Sequence, residues 1–426
     1  MASLKKYTPL FIFVVAFSVA IIFTNTFLTS ANEASRIGTI KSLERTGGWG
    51  LDNEEYIYAQ IGNNKVFYTW DIVRRGGHLY TSKPPVFTWL SWKIKEIIPF
   101  DFPGSPKDFN LAYYFLTLAT VGLSYSLLLV FFYKSLLLAK VKLKVGLLVT
   151  FLLGLATIIL PFATVYNNHL PAALFLYLAF YFYLRGKIKR NHKFNLILIG
   201  LFLSLVAVFE LTIGLFFWLF FLAYLIFSKN KAFYYFLIGS FPILALHFYL
   251  NWQITGDLMP AYLHTSWYLF REIDPGLNSF LGRTKYLFKL LILPAKGFLF
   301  YNPIIIVAFY AVYKIIKERK ELYKEAVFSS FCFILSLLVW LFFTYDAGGS
   351  SYGLRWAIPY LPIFMFFLGS YLNQHLIKRN HLFIILALFS FSLALVGLLN
   401  PWTVEFNGQL FGLDFPLLYN LHLLIE

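Results

Sequence analysis

Long apolar segments recur along almost the whole chain, and short polar segments separate them. An α-helix needs about 20 consecutive apolar residues to cross the hydrocarbon core of a bilayer. Segments of that order occur eleven times, which predicts eleven transmembrane helices. The predicted spans are residues 8–29, 111–133, 145–165, 170–185, 194–212, 213–228, 232–251, 297–313, 326–344, 356–373 and 382–399.

The composition agrees with this pattern. Hydrophobic residues make up 59% of the 426 residues, charged residues only 13%, and the mean hydropathy is +0.68. Because about a quarter of a soluble protein's residues are charged, the chain lacks the polar surface of a water-soluble globule. We therefore expect an all-α polytopic membrane protein with a single transmembrane domain over residues 1–426. The first apolar segment is long for a signal peptide and is interpreted as an uncleaved helix with a cytoplasmic N-terminus.

The basic residues predict the orientation of the helices. The formal charge is +16, and 20 of the 36 lysines and arginines lie at the N-terminus or in five short loops on the predicted cytoplasmic side. This distribution is an orientation signal and does not indicate a nucleic-acid surface. Of the 20 acidic residues, 17 lie on the opposite side, for which chemistry at the outer face is one explanation. We expect a prokaryotic plasma-membrane protein with an extracytoplasmic active site.

Two long polar loops interrupt the series of spans on the predicted outer side. The first long loop comprises residues 30–110, and the second long loop comprises residues 252–296. Loops of that length are usually functional or contain helices of their own. We expect short surface helices over residues 55–70 and 84–98, since both mix aromatic and apolar residues with lysine. Residues 400–426 are predicted to form an outer C-terminal tail.

The sequence contains none of the common metal-binding or nucleotide-binding motifs of cytosolic enzymes. The chain has no CxxC or HExxH metal pattern, no Walker loop and no GxGxxG fingerprint. The single cysteine, Cys332, excludes an internal disulfide framework. The sequence therefore requires no cofactor, and it leaves the need for a divalent metal open.

The first candidate site is a group of three carboxylates, Asp52, Glu54 and Glu55, in the first long loop. A carboxylate there can act as a general base if partial burial raises its pKa. The alternative is a helix start, at which Asp52 or Asn53 caps and the two glutamates favour the positive end of the helix dipole. The local sequence leaves both interpretations open.

The second candidate is Lys83, which directly precedes Pro84 and Pro85. Prolines fit the first turn of a helix, where a missing N–H group costs least. A lysine beside the positive end of that helix would make an anion site. The alternative is a lysine that extends to lipid phosphate from the membrane surface.

The third candidate is the short outer segment TYDAGGSSYGLRWAIPYLP, which contains Asp346 and Arg355. Its paired glycines allow backbone amides to approach a ligand. Arg355 suits a phosphate because its guanidinium donates two parallel hydrogen bonds, although an arginine that anchors a helix at the interface would look the same. Weaker pocket candidates are His78, His169, Glu210, Lys296, Asp346 and Tyr352. Asp52, Glu54 and His169 are the side chains that could contribute metal ligands.

Together, EEYIYAQ, the following KPP, KGFLFYNP and GGSSYGLRWAIPYLP resemble the C-type glycosyltransferases. These polytopic enzymes use polyprenyl-phosphate sugars and include protein O-mannosyltransferases and lipid A aminoarabinose transferases. On this resemblance Glu54 takes the place of the catalytic aspartate and Glu55 that of its acidic neighbour. The family's usual pair is Asp-Glu, so this departure leaves Asp52 as a competing base.

The resemblance implies a donor sugar on polyprenyl phosphate, with Lys83 and Arg355 at the phosphate. Glu54 or Asp52 would remove the proton from the acceptor hydroxyl, and the anomeric carbon would be inverted. The second long loop would close over the donor. The expected partners are this lipid-linked sugar, an unknown glycan, lipid or protein acceptor, and membrane lipids, without nucleic acid.

Two other functions fit parts of the pattern. A lipid-linked glycan polymerase or ligase also has large outer loops, but it relies on arginine and histidine clusters and needs no carboxylate base. A lipid or solute transporter should show paired repeats and broken helices near the bilayer midplane. No clear repeat is visible, and the unusual polar residues lie at the outer surface.

Overall fold

The structure, a computed structural model, is dominated by helices. It describes residues 2–61, 64–189, 192–228, 232–270, 275–343, 351–374, 381–402, 409–410 and 413–425. The α-helices, in chain order, are α1 Ala2–Phe23, α2 Ala31–Thr46, α3 Pro85–Lys95, α4 Leu111–Thr117, α5 Leu123–Leu138, α6 Leu143–Leu155, α7 Ile159–Phe162, α8 His169–Lys189, α9 His192–Phe209, α10 Leu211–Phe227, α11 Phe233–Thr255, α12 Phe280–Leu291, α13 Ile304–Lys317, α14 Tyr323–Phe343, α15 Leu361–Gln374, α16 His381–Gly397 and α17 Pro416–His422. Short strands pair as three antiparallel hairpins, β1 Tyr58–Ile61 with β2 Asn64–Phe67, β3 Ile72–Arg75 with β4 His78–Thr81, and β5 Gln409–Leu410 with β6 Leu413–Asp414.

Each of the eleven apolar segments contains helix, but the helices differ in length. Three in the described part of the chain have the length and apolarity to cross a membrane: Leu111–Leu138, Phe233–Thr255 and Tyr323–Phe343. The first of these joins α4 and α5 through a π-helical segment, Leu118–Gly122. The count of eleven spans stays a prediction.

Two predicted spans have irregular ends. The segment 145–165 is divided between α6 and α7, and the break is stabilised by Asn302, whose Oδ1 accepts a hydrogen bond of 2.9 Å from the Ile158 amide. The segment 297–313 becomes α-helical only at Ile304, after Pro303. The apolar pattern of a sequence shows which residues avoid water. It does not show where a side chain such as that of Asn302 takes a backbone hydrogen bond and interrupts a helix.

The first long loop folds into two helices and two hairpins. Helix α2, which the sequence analysis did not predict, begins with a capping box between Ser30 and Glu33. The predicted helix over residues 55–70 is wrong, because this segment forms a 3₁₀ turn, Glu55–Ile57, followed by β1 and β2. The aromatic rings of Tyr58 and Phe67, which are paired across the hairpin, stack with their centroids 4.9 Å apart.

Helix α3 confirms the prediction for the Pro-Pro segment. Pro84 occupies the N-cap position and Pro85 begins the helix. The preceding hairpin, β3–β4, turns through Gly76 and Gly77, whose φ angles of 59° and 88° are accessible to glycine. This hairpin therefore delivers Lys83 directly to the N-terminal end of α3.

Close helix contacts position the elements behind the site. Helices α9 and α11 approach so closely that a Cβ atom on Gly200 would lie 2.0 Å from the Phe236 carbonyl oxygen. A Cβ on Gly239 would lie 1.9 Å from the Ile197 carbonyl oxygen. Small residues at such contacts are typical of helix packing in membranes, where backbones must approach for dispersion attraction to be effective.

The second long loop contains helix of its own, as expected. After α11 ends at Thr255, the loop makes short 3₁₀ turns at Ala261–Leu263 and Thr265–Trp267 and then forms α12. Tyr268 forms an antiparallel bridge with Val73 in β3. The two long loops are therefore in direct contact.

Candidate active site

Glu33 joins three separate segments of the chain at the start of α2. Its side chain is fully buried, and Oε2 accepts hydrogen bonds from the backbone amides of Thr29 at 2.7 Å and Ser30 at 2.9 Å. Oε1 accepts from the Tyr113 hydroxyl at 2.5 Å and from Trp402 Nε1 at 3.0 Å. Burial raises the pKa of Glu33, and these hydrogen bonds oppose the shift.

Arg36 lies one turn further along α2 and is also buried. Its guanidinium donates to Asn168 Oδ1 at 2.6 Å and lies 5.5 Å above the Phe87 ring. Burial lowers the pKa of Arg36, and nearby acidic side chains oppose this effect. Those side chains are Asp71, Glu210 and Glu33. Arg36 is therefore a buried cation with acidic groups on several sides.

Lys83 is under the electrostatic influence of this arginine and of a second one, Arg355. Its Nζ atom is 2.7 Å from Asp71 Oδ1, and its side chain is 21% exposed. Burial lowers the pKa of Lys83, the pairing with Asp71 opposes the shift, and the positive charges of Arg36 and Arg355 add to it. Three cations from separate segments thus act on one another at the start of α3.

Arg355 begins a buried 3₁₀ segment, Arg355–Tyr360, that leads into α15. Its guanidinium carbon lies 5.0 Å from the centre of the Trp402 ring. Because Trp402 also donates to Glu33, this ring lies between Arg355 and the start of α2. We call Arg36, Lys83 and Arg355 the cationic cluster.

His169 and Glu210, two pocket candidates that are far apart in the sequence, are in contact. His169 Nδ1 lies 2.5 Å from Glu210 Oε1, and both side chains are largely buried. Asn168 Nδ2 donates to the same carboxylate oxygen and to the Phe209 carbonyl at 2.8 Å. Since Asn168 also accepts from Arg36, the chain of contacts runs from the cationic cluster to Glu210.

The predicted carboxylates have different partners. Glu54 is 3% exposed and pairs with Arg45 at 2.8 Å. Burial raises the pKa of Glu54, while Arg45 and Lys41 lower it and Glu55 raises it further. The structure does not bring Glu54 into contact with Lys83 or with the other described members of the cationic cluster.

Asp52 contacts another candidate residue, His78, where β4 of the β3–β4 hairpin begins. Its Oδ1 accepts a hydrogen bond of 3.0 Å from the Leu79 amide, and its Oδ2 lies 3.0 Å from His78 Nδ1. The side chains of His78 and of Glu55, the neighbour of Glu54, are both exposed. Asp52 therefore holds the hairpin against the segment that precedes the 3₁₀ turn.

The remaining candidates support the segment that carries Arg355. Lys296 Nζ donates to the Ser351 carbonyl at 3.1 Å and contacts its hydroxyl at 3.2 Å. The buried Tyr352 donates its hydroxyl to the Leu393 carbonyl at 2.8 Å. Asp346 lies outside the described residues. Among the residues that the structure does describe, no three His, Cys, Asp or Glu side chains are grouped as a metal site.

Sequence reasoning missed Glu33, Arg36 and Asp71. A usable signal was present for the first two, because Ser30 and Glu33 have capping-box spacing directly after the first apolar segment. Arg36 follows Glu33 by three residues and therefore shares a face of α2. Asp71 carries no comparable signal, since its pairing with Lys83 depends on the hairpin between them.

No protein-family model matches the chain, and no curated protein matches it. Among solved structures, the chain is similar to ArnT from Cupriavidus metallidurans in the apo state, with 13% sequence identity and a TM-score of 0.54. The alignment covers 88% of this chain and 60% of ArnT. The chain has the fold of ArnT. The expectation of a predominantly helical fold is thereby confirmed, while the count of eleven spans stays a prediction. The apolar helices in the described part of the chain support an integral membrane protein.

Two further solved structures are similar to this chain. ArnT from Cupriavidus metallidurans bound to undecaprenyl phosphate aligns with 12% identity and a TM-score of 0.50, covering 92% of this chain and 70% of that one. The archaeal oligosaccharyltransferase AglB from Archaeoglobus fulgidus, in complex with an inhibitory peptide and a dolichol-phosphate, has 12% identity and a TM-score of 0.48. That alignment covers 92% of this chain and 56% of AglB.

Proposed function

We propose that the chain is a membrane glycosyltransferase that moves a sugar from a polyprenyl-phosphate donor to an acceptor hydroxyl on the extracytoplasmic face. The observation that carries this proposal is the position of Lys83 at the start of α3, within the electrostatic influence of Arg36 and Arg355. The fold is compatible with such a donor, since the ArnT structure of the same fold is described as bound to undecaprenyl phosphate.

The cationic cluster suits a phosphate diester. Lys83 offers an ammonium group at the N-terminal end of α3, where the helix dipole favours an anion. Arg355 and Arg36 offer guanidinium groups, which match phosphate geometry. Because Lys83 forms an ion pair with Asp71, the donor phosphate would compete with Asp71 for Lys83.

In the proposed reaction the acceptor oxygen attacks the anomeric carbon as the bond from that carbon to the phosphate oxygen breaks. The bonding electron pair leaves with the phosphate oxygen, and Lys83 and Arg355 stabilise the negative charge that develops there. The acceptor's proton passes to a carboxylate, and the products are the glycosylated acceptor and polyprenyl phosphate. Attack from the face opposite the leaving phosphate inverts the anomeric carbon.

The identity of the carboxylate is the part of the mechanism on which sequence and geometry differ. The sequence favours Glu54 or Asp52, with Glu55 as a neighbour, and those roles stay predictions. Glu54 pairs with Arg45, and Asp52 contacts the β3–β4 hairpin, so either residue would have to leave its partner to reach an acceptor at Lys83.

Binding of undecaprenyl phosphate to the purified chain in lipid nanodiscs tests the donor site. We expect saturable binding that Lys83→Ala and Arg355→Ala each weaken by about 10-fold to 100-fold, the loss typical of one charge-assisted hydrogen bond. Lys144→Ala, an exposed lysine in α6, is the matched control and should bind as the unaltered chain does. Unchanged affinity in both cluster variants would exclude the proposed phosphate site.

A further inference from the structure

The geometry points to Glu210, held in place by His169 and Asn168, as the proton acceptor for the attacking hydroxyl. This inference rests on the proposed glycosyl transfer and assigns its base. Glu210 follows Asn168 by 42 residues in the chain, so only the fold brings the group together.

The location of Glu210 argues against a merely structural role. Helix α9 ends at Phe209 and α10 begins at Leu211, so Glu210 occupies the elbow between two antiparallel helices. Its backbone amide donates to the Val206 carbonyl at 2.7 Å, and its carbonyl accepts from the Gly214 amide at 2.9 Å. The side chain, however, makes no capping hydrogen bond to α10. The carboxylate is turned towards His169 instead, although capping would have been its ordinary role.

The two carboxylate oxygens of Glu210 are unequal. Oε1 receives Asn168 Nδ2 and lies 2.5 Å from His169 Nδ1. Oε2 accepts no hydrogen bond within the described part of the chain, and the side chain keeps 14% of its surface exposed. One oxygen is therefore fixed while the other is available to a hydroxyl group.

The charged groups around Glu210 are those of the donor site. Arg36, in α2, and His169, in α8, both interact electrostatically with Glu210. His169 is in turn influenced by the charge of Arg355. Tyr262 approaches it from the second long loop. By contrast, the charged neighbours of Glu54 are Arg45, Lys41 and Glu55. Glu210 is thus electrostatically part of the cationic cluster's surroundings, and Glu54 is not.

In the inferred step the proton of the acceptor hydroxyl passes to Glu210 Oε2 as the acceptor oxygen bonds to the anomeric carbon. The leaving phosphate oxygen takes the electron pair of the broken bond, and Glu210 later releases its proton to water. His169 is a positioning residue, since its Nδ1 lies against Oε1, which Asn168 holds by a hydrogen bond, and this arrangement leaves Oε2 for the acceptor. Asn168 links that orientation to Arg36.

The test follows release of undecaprenyl phosphate from undecaprenyl-phosphate sugars, with water or an added alcohol as acceptor. Glu210→Gln keeps the shape of the side chain but cannot take up a proton, and we expect a rate about 100-fold to 10,000-fold lower. Its affinity for undecaprenyl phosphate should remain within about threefold of the unaltered chain, because the phosphate ligands are intact.

The split between rate and affinity separates a base from a structural residue. A structural residue would lower the rate and the binding of undecaprenyl phosphate together, whereas Glu210→Gln should lower the rate alone. His169→Asn should lower the rate less than Glu210→Gln does, because the carboxylate that takes up the proton remains. Glu325→Gln, a buried carboxylate that pairs with Lys187 near the start of α14, is the matched control and should keep the full rate.

Two results would overturn the inference. One is full turnover by Glu210→Gln together with loss of turnover by Glu54→Gln or Asp52→Asn, which would return the base to the predicted carboxylates. The other is a loss of undecaprenyl phosphate binding by Glu210→Gln equal to its loss of rate, which would make Glu210 a binding residue. Failure of the proposed function looks different, because the unaltered chain itself would then neither bind undecaprenyl phosphate nor release it.

Discussion

Lys83 Nζ and Asp71 Oδ1 lie 2.7 Å apart at the start of α3, so the lysine that best suits the donor phosphate already has an anionic partner. Asp71→Asn removes that competitor. We expect undecaprenyl phosphate to bind about twofold to fivefold more tightly, which corresponds to the ~0.5–1 kcal/mol of a partly exposed ion pair. Titration in nanodiscs measures the change. The gain should vanish in the Lys83→Ala background, and a gain that persists there would disconnect Asp71 from the phosphate.

The lowered pKa of Lys83 gives donor binding a pH dependence. A lysine with a lowered pKa loses its charge at a lower pH than an ordinary lysine, so affinity for undecaprenyl phosphate should fall as the pH rises through that pKa. Measurements above pH 7.5 keep the phosphate ionised throughout. Lys83→Arg should flatten the fall because arginine stays charged. An equal fall in this variant would assign the titration to another group.

Glu33 should be more important for stability than for turnover. Glu33→Gln replaces one of two oxygens that accept hydrogen bonds with an NH₂ group that cannot accept them, and it leaves buried donors such as Tyr113 or Trp402 unpaired. We expect a loss of about 1–3 kcal/mol in the free energy of unfolding, seen as a lower thermal midpoint in detergent. Glu55→Gln, an exposed neighbour in the same loop, should leave the midpoint unchanged.

The contact between the long loops makes the predicted closure of the second loop testable. Val73 and Tyr268 face each other across an antiparallel bridge, which suits a disulfide. In Val73→Cys/Tyr268→Cys, oxidation should stop turnover by fixing the loop, and a reducing agent should restore it. The buried Cys332 should not interfere. Full turnover by the oxidised variant, with the cross-link verified by mass spectrometry, would mean that the loop need not move.

The predicted orientation can be checked by labelling in sealed cells. Asp52→Cys should react with an impermeant maleimide from outside, because it lies in the first long loop. Lys144→Cys, in a predicted cytoplasmic segment, should react only after the cells are opened. The reverse pattern would invert the topology and place the cationic cluster on the cytoplasmic side.

The sequence was a good guide where a property depends on neighbours in the chain. Apolar segment length located the helices, since the thickness of the bilayer sets how many apolar residues a crossing needs. The same kind of reasoning located the start of α3, because proline is tolerated only where no amide hydrogen bond is lost. It was wrong for residues 55–70, where aromatic residues suit a surface helix and a hairpin equally and pairing with a second strand decided the outcome.

The composition and the apolar segments by themselves determined that this protein is helical and belongs in a membrane, because burial of apolar surface depends on how much of it the chain contains and in what runs. Which polar groups meet was decided only by the tertiary structure. Arg36 and Asn168 are 132 residues apart, and Glu33 and Trp402 are 369 apart. No local pattern encodes such pairs, since each depends on how helices pack and where their ends come to lie. The contact between His169 and Glu210 is of the same kind.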